Sequence, residues 1–489
     1  MKTSHRIRYA LHSFFLAAVI FYSQCGKAQQ TNINAVNFPL KASANMRYLV
    51  DQKDKPFPIL GRTSWFIISQ PVPEYQYFIA NTLSHGYNAV EMLMISHDPR
   101  GSHPPLNGDN DLPFLKQLDG KPWKGSLVYN DIEAEAPDLT SPNEKYWQFV
   151  DTFFSYCESK GILVFAFPAY VGYVGTDQGW MEELIANGRT RCEAYGAWVA
   201  NRYKNHKNIV WMLLGDMGYF TISQRNVEAA LIRGLKSISN QQSVFYSSEA
   251  NSGQNSTDQK EFGKEITLNG TYDWGYKSIP ALGRKAYSHT PTIPAFLLEE
   301  PYDEEGPDGN SVNPNAIQPV RRFQWWGWLS TIGGYVAGNG YVWPFVDPWK
   351  KHLDTSGAID MEKLNTFIRS IKWWELVPSG LGGMRNLIIE GGGADTTANY
   401  VAAAATPTGS VLVAYLPPVH ENSITVETKG MDKLLSAVWL DPTNGVSSPI
   451  AGSPFTNQGE LKFTPPPTNS RGERDWVLVL AAVNSVKKR

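Results

Sequence analysis

Among its 489 residues the chain holds only three cysteines, Cys25, Cys157 and Cys192, too few for a disulfide framework or a thiolate metal centre. Cys157 and Cys192 fall within helix-like patterns, where a buried free thiol is the expectation. Nine histidines are scattered without zinc-ligand spacing, and there is no Gly-x-Ser-x-Gly elbow and no phosphate-cradling glycine loop after a strand. The stretch 107–111 lacks the calcium-loop pattern of an EF-hand and reads as a surface loop. No metal or cofactor is therefore expected. Charge of one sign is also missing: 44 basic residues against 46 acidic ones leave a net charge of −2, so no basic field exists to attract nucleic acid or anionic lipid. Beyond the N-terminus no apolar run is long enough to cross a membrane.

The first residues read as a secretory signal. Lys2, Arg6 and Arg8 precede an apolar run over 14–22, too short to span a bilayer comfortably. Cleavage after Gly26-Lys27-Ala28 would leave Gln29 as the mature start and remove a signal peptide of 1–28. Lipid attachment at Cys25 is the alternative, with Tyr22-Ser23-Gln24 a poor match to the usual preceding residues. Either way the protein is expected to be exported, periplasmic or secreted.

Aromatic residues are plentiful, at 12 % with 16 tryptophans. Core packing accounts for most of them, yet sugar rings present apolar C–H faces that stack on indole and phenol. An uncharged oligosaccharide or polysaccharide partner fits this composition. The sequence leaves the oligomeric state open.

Between about 56 and 340, β-rich runs alternate with amphipathic stretches, the pattern of repeated βα units and a parallel sheet. Eight strands can be counted, over 58–65, 88–94, 162–167, 209–214, 244–247, 266–272, 293–298 and 335–340. That number predicts a (β/α)8 barrel. The polar segment 98–140 is an insertion expected on the catalytic face. Ser141-Pro142-Asn143-Glu144 predicts a helix start with Ser141 as the cap, followed by a buried stripe of Trp147, Val150, Phe154 and Cys157. A connecting segment with a helix over 361–374 leads to short strands at 411–415, 424–427, 437–440 and 476–480, the pattern of an antiparallel β-sandwich. The expected domains are a catalytic barrel over 36–388 and a C-terminal sandwich over 389–489.

Two of the barrel strands end in an acid. Trp211-Met212-Leu213-Leu214-Gly215 runs into Asp216, and Ala295-Phe296-Leu297-Leu298 runs into Glu299-Glu300. Barrel enzymes place their reacting groups at that C-terminal rim. Capping of the next helix could account for one acid, but two apolar strands ending alike point to chemistry, since a buried carboxylate needs a partner or a task. Paired carboxylates suit glycoside cleavage, one as proton donor and one as nucleophile or base. Asp216 would be the acid/base and Glu300 the nucleophile. Glu299 competes for that role, because neighbours on a strand face opposite sides. The run Asp303-Glu304-Glu305 reads as a solvated loop.

The chain resembles the apiosidase-like glycoside hydrolases, family 140 and its relatives, joined to a C-terminal domain type named for collagen binding. The matching residues are Gly61-Arg62-Thr63-Ser64-Trp65, Gly86-Tyr87-Asn88, Arg202-Tyr203, Asn208-Ile209-Val210-Trp211 through Asp216, Glu300-Pro301-Tyr302, and Arg321-Arg322 with Trp325-Trp326. In the tail, Trp439-Leu440-Asp441-Pro442, Phe463-Thr464-Pro465 and Asp475-Trp476-Val477-Leu478 match as well. The resemblance implies a (β/α)8 hydrolase with retained configuration and puts Asp216 and Glu300 at the two acid positions. The activity named for the family is release of apiose from pectic side chains. Trp65, Trp274, Tyr276 and Trp343 are candidates for ring stacking, Asn88 and Tyr302 for substrate contact. Arg322 could orient a carboxylate or close a buried ion pair. Two departures fall near the expected pocket: Arg62 stands where an Asp is usual, and Ser247-Ser248-Glu249-Ala250 where a His is common. A non-catalytic carbohydrate-binding protein on the same scaffold is the alternative reading, and collagen binding by the tail is not expected.

Overall fold

The computed structural model describes residues 36–98, 100–126, 135–172, 178–218, 220–238, 244–275, 278–299, 301–304 and 320–483. The segment read as a signal peptide, with Cys25, and also Tyr276 and Glu300, lie outside these residues. Phe38–Arg489 form one compact unit.

Eight strands make the barrel: β1 (Ile59–Thr63), β2 (Ala89–Leu93), β3 (Leu163–Phe167), β4 (Ile209–Leu214), β5 (Phe245–Glu249), β6 (Asn269–Tyr272), β7 (Ala295–Glu299) and β8 (Gly334–Ala337). Parallel ladders join them in the order β5-β4-β3-β2-β1-β8-β7-β6. Single hydrogen bonds close the remaining seam between β5 and β6. The Tyr246 carbonyl accepts from the amides of Thr267 at 2.9 Å and Leu268 at 3.0 Å. Ser256 Oγ accepts from the Gly270 amide at 3.0 Å and donates to the Ser248 carbonyl.

Seven α-helices are described around the sheet: α1 (Val72–Ser84), α2 (Glu144–Ser159), α3 (Met181–Tyr203), α4 (Ile222–Leu235), α5 (Ile279–Tyr287), α6 (Arg321–Thr331) and α7 (Ser356–Ser370). Between β5 and β6 the chain instead makes the short 3-10 turns Ser256–Asp258 and Gly263–Glu265. The expected stripe of α2 is buried, Cys157 included. Its cap differs from the expectation, because Asn143, not Ser141, accepts from the Lys145 amide. Ser141 donates to the Asp138 carbonyl in the preceding turn instead. Gly161 ends the helix with φ 73°, a left-handed value that a side chain would oppose.

The C-terminal residues fold into two antiparallel sheets. One contains Ala402–Ala405, Val411–Leu416, Trp476–Ala482 and Leu434–Leu440, the other Ile388–Glu390, Ile424–Glu427 and Glu460–Phe463. Leu412, Leu416, Leu478, Ile424, Val426 and Phe463 form the core of this sandwich.

α6 fastens the sandwich to the barrel. The ring of Trp325 lies parallel to that of Tyr415, 5.7 Å between centroids and 3° between planes, an arrangement that adds about 0.5–1.5 kcal/mol beyond area burial. The Trp326 indole donates to the Tyr400 carbonyl at 2.9 Å. Arg321, at the start of α6, is wholly buried. It donates to Asp475 Oδ2 and to Asp360 Oδ2 at 2.8 Å each and also pairs with Glu473. Arg471 reaches Asp360 from the sandwich side at 2.8 Å, and the Tyr415 hydroxyl donates to Asp475 at 2.9 Å. Every charge in this inter-domain cluster has an opposite partner, the condition under which buried ions are tolerated.

Candidate active site

At the C-terminal rim, local backbone features aim the acids. At the end of β4, Leu214 takes a left-handed φ of 70°, a costly conformation for a branched residue and one that clusters at functional turns. Gly215 follows because a Cβ there would meet the Tyr170 ring at 2.9 Å. The chain then presents Asp216, 7 % exposed. On β7, Phe296 points inward against Phe165 of β3, 5.2 Å between ring centroids. Leu297 points outward, its side chain filling the space a Cβ on Gly327 of α6 would need. Strict alternation would make residue 300 the next inward position after Leu298. The ladder to β6 instead pairs Thr271 with Leu297 and Tyr272 with Glu299, a bulge at Leu298. Such an extra residue re-aims the side chain that follows it. Glu299 enters the mouth, where the Trp65 indole donates to it.

Four carboxyl groups converge there. Glu249, the last residue of β5, and Asp216 both lie close enough to Glu299 to oppose its ionisation. Glu91, in mid-β2, lies close enough for Glu299 to resist its ionisation. All four are nearly excluded from solvent. Burial pushes Glu299 well above the usual carboxylate range, and the charges of Glu249 and Asp216 push further; the hydrogen bond from Trp65 opposes them. Burial also raises Glu91, before the effect of Glu299. Asp216 rises to about 6, again through burial, against stabilising hydrogen bonds from the Tyr272 hydroxyl and the Ser252 amide. The Tyr272 hydroxyl donates to Asp216 Oδ2 at 3.3 Å, and Asp216 Oδ1 has no hydrogen-bond partner among the described residues. Tyr170, following β3, faces Glu249, Asp216 and Glu299 together. Buried carboxyls whose proton affinities are driven apart by their surroundings are the raw material of acid/base chemistry.

The expected site residues divide into two groups. Trp65 belongs to the mouth: its indole N–H lies 3.0 Å from Glu299 Oε1 and 2.7 Å from the Tyr302 hydroxyl, and its ring packs on Phe167 and Tyr170 at 5.3 and 5.8 Å. Tyr302 is thereby in the same cluster. Trp274, just past β6, and Trp343, past β8, are half-buried at the same end of the barrel. The ring of Trp343 rests against Phe66 at 5.5 Å and under the Arg100 guanidinium at 4.7 Å. Asn88 is placed elsewhere. It precedes β2, at the opposite end of the strands, where its amide donates to the Pro58 carbonyl at 2.8 Å and accepts from the Leu60 amide at 2.9 Å. Arg322 is wholly buried on α6, over the Trp326 ring at 4.1 Å and facing Tyr415 of the sandwich, so it belongs to the packing between domains. Its neighbour Arg321 closes the buried ion cluster that the sequence suggested for Arg322. Arg62 also turns away from the mouth, donating to Asn81 Oδ1 at 2.7 Å and the Leu353 carbonyl at 3.0 Å.

Over its described part the acidic run after β7 is hydrogen-bonded, with Asp303 partly buried and Glu304 exposed to solvent. Thr355 donates to Asp303 at 2.5 Å, and Glu304 Oε2 pairs with His352 at 2.6 Å.

The sequence profile described as "Apiosidase-like, catalytic domain" matches residues 43–375, most of the chain. The chain belongs to the apiosidase-like family. It is thereby a glycosidase, with the barrel as its catalytic domain. A second profile, "Putative collagen-binding domain of a collagenase", matches 385–481, the segment that folds into the sandwich. Solved structures share the architecture. One described as a glycoside hydrolase has 18% identity and a TM-score of 0.70 over 92% of this chain and 98% of that one. A family 5 glycoside hydrolase from Bacteroides vulgatus has 18% identity and a TM-score of 0.70 over 93% and 95%. A noncanonic maltogenic alpha-amylase from Thermotoga neapolitana has 10% identity and a TM-score of 0.50 over 86% and 98%. At these identities the likeness is one of fold. No curated protein matches the chain.

Glu91, Tyr170 and Tyr272 escaped sequence reasoning, and Glu249 was placed near the pocket by its motif without being read as one of its acids. For Glu249 the signal was present, since β5 also runs from apolar residues into an acid, Phe245-Tyr246-Ser247-Ser248-Glu249. The two serines masked it and ended the expected strand at 247.

Proposed function

We propose that the protein is an exported, retaining glycoside hydrolase that removes an uncharged sugar from plant or microbial polysaccharide side chains, pectic ones foremost, with Asp216 as acid/base and Glu299 as nucleophile. The observation that carries this reading is the meeting of Asp216, from β4, with Glu299, from β7, in one nearly water-free barrel mouth. In the first step the Glu299 carboxylate attacks the anomeric carbon. The bond to the leaving oxygen breaks, and that oxygen takes the proton from Asp216. In the second, Asp216 accepts a proton from water, whose oxygen attacks the anomeric carbon and releases Glu299.

Burial and acidic neighbours push Glu299 well above the usual carboxylate range, which would leave a lone acid neutral. Here the push comes in part from two neighbouring acids, so the protons belong to the group and not to one member. The Trp65 indole N–H, which only donates, favours charge on Glu299. The four carboxyls also support an uncharged sugar at the reacting position, since an acidic one would be repelled. Trp274 and Trp343, half-buried on the rim, are suited to stack on sugar rings further out, and Tyr276 is retained with them from the sequence. Export rests on the N-terminal signal pattern, and the pectic substrate on the family resemblance. The sandwich, fixed to α6 through Arg321, is read as a structural part of the enzyme; its family name does not bring collagen into the proposal.

The test is a panel of pectic oligosaccharides offered to wild type, Asp216→Asn and Glu299→Gln, with cleavage followed by reducing ends and binding by calorimetry. Cleavage by wild type, with binding but no cleavage in both variants, supports the hydrolase. Binding without cleavage by wild type would favour a carbohydrate-binding protein on a glycosidase scaffold.

A further inference from the structure

Among the described residues two aromatic rings are exposed, Tyr77 at 50 % and Tyr341 at 42 %. Tyr77 lies on the solvent face of α1, covered by the Lys350 ammonium at 5.4 Å. Tyr341 is on the catalytic rim, in the loop that follows β8. Its path to the mouth is short. The Asp303 amide donates to the Gly338 carbonyl at 3.0 Å and the Gly340 amide to the Asp303 carbonyl at 2.8 Å, so the chain after β8 runs beside the chain after β7. The Tyr302 ring fills the space a Cβ on Gly338 would need, and Tyr302 shares the Trp65 indole with Glu299. Tyr341 is three residues past Gly338, a reach of at most about 11 Å.

The Tyr341 ring is also held still. The His352 ring lies parallel to it, 3.8 Å between centroids and 9° between planes. His352 Nδ1 is 2.6 Å from Glu304 Oε2, and the same oxygen accepts from the Asn339 side-chain amide at 3.2 Å. Asn339 Oδ1 in turn accepts from the Tyr341 backbone amide at 2.9 Å, which closes the circuit. With one face covered at contact distance, the exposure of Tyr341 falls on its other face and edge. A ring ordered before its ligand arrives loses less freedom on binding, and the apolar C–H face of a sugar complements an uncharged aromatic face.

We infer that Tyr341 is the platform of a sugar subsite on the barrel rim: its open face takes the C–H face of a sugar ring beyond the one whose bond is cleaved. His352 is a positioning residue, which acts by backing the tyrosine. This rests on the reading of the carboxyl-lined mouth as the place of cleavage. The reacting sugar sits among the buried acids there, whereas Tyr341 stands outside them, where the rest of the polysaccharide must leave the mouth.

The test titrates pectic oligosaccharides of increasing length into the full-length protein by calorimetry, in an Asp216→Asn background that keeps them intact. Tyr341→Ala is expected to weaken binding of the longer members by about 2- to 10-fold, the scale of one aromatic contact. Tyr341→Phe keeps the ring and should stay within about 2-fold of the parent. His352→Ala should weaken binding too, yet add nothing to Tyr341→Ala, since the histidine acts through the tyrosine. Equal affinity in Tyr341→Ala and the parent would overturn the proposal and leave the hydrolase reading standing. A loss in Tyr341→Phe as large as in Tyr341→Ala would also overturn it, because stacking would then not be the contact. So would a loss as large for a single sugar as for the longest member, which would put Tyr341 at the reacting ring. If the parent binds no member, the pectic substrate fails and the subsite with it. Cleavage that persists in the Asp216→Asn background counts against Asp216 as proton donor, and the comparison of Tyr341 variants stands apart from it.

Discussion

The Trp65 indole nitrogen stands 3.0 Å from Glu299 Oε1, joining the residue just after β1 to the last residue of β7 across the barrel mouth. Burial alone would keep Glu299 protonated, and this hydrogen bond works in the opposite direction. Trp65→Phe keeps most of the ring packing on Phe167 and removes the donor. Hydrogen bonds to charged groups contribute about 1.5–3 kcal/mol, so kcat/KM on a cleaved oligosaccharide should fall by about 10- to 100-fold. Since the lost bond favours the ionised form, the acid limb of the pH profile should move to higher pH. A fall in activity with an unmoved limb would make Trp65 a packing residue only.

Asp216 must be protonated to serve as the acid, and its proton affinity is raised to about 6. Activity should therefore decline as pH rises through that region. The Tyr272 hydroxyl, 3.3 Å from Asp216 Oδ2, stabilises the ionised form. Tyr272→Phe should shift the alkaline limb of kcat/KM upward by about one pH unit, since one unit corresponds to about 1.4 kcal/mol. The same shift has a stability counterpart. Because the folded value lies above the unfolded one, the contribution of Asp216 is fully present below its ordinary range near 3.8 and is lost as pH rises through about 6. Asp216→Asn should raise Tm more at pH 8 than at pH 4, measured by calorimetry at both.

Arg321 holds Asp475 and Asp360 from the barrel side with no exposure to water. Removing one member of a buried ion group leaves its partners unpaired and costs about 3–5 kcal/mol. Arg321→Ala should lower the unfolding free energy, measured by denaturant titration, by that scale, and pairing it with Asp475→Asn should recover part of the loss. A change under about 1 kcal/mol, the usual worth of an exposed ion pair, would show that the two domains are not bound through this cluster.

The barrel was legible because its strands are apolar runs on a βα repeat, a pattern set by burial on both faces of a parallel sheet. The sandwich was legible through short strands punctuated by turn residues. Asp216 was legible for the same reason as β4 itself: an apolar run that stops at an acid. The inward place of Glu299 was not, because alternation by itself would turn it outward and the bulge at Leu298 re-aims it. Asn88 and Arg322 were read as site residues from motif membership, yet their side chains serve the barrel floor and the domain contact. Which end of a strand or face of a helix a motif residue occupies depends on tertiary packing. Glu249 and Glu91 were hidden by their apolar or small neighbours, which give the periodicity of ordinary strand interiors.

Azide rescue tests the assignment of Asp216 and Glu299 most directly. Small anions can attack the anomeric carbon where a catalytic carboxylate has been removed, and the configuration of the glycosyl azide reports which one is missing. On an oligosaccharide that wild type cleaves, Glu299→Ala in azide should give the glycosyl azide of inverted configuration, and Asp216→Ala the retained one. Rescue of Glu300→Ala with inversion, while Glu299→Ala keeps wild-type turnover without azide, would contradict the account.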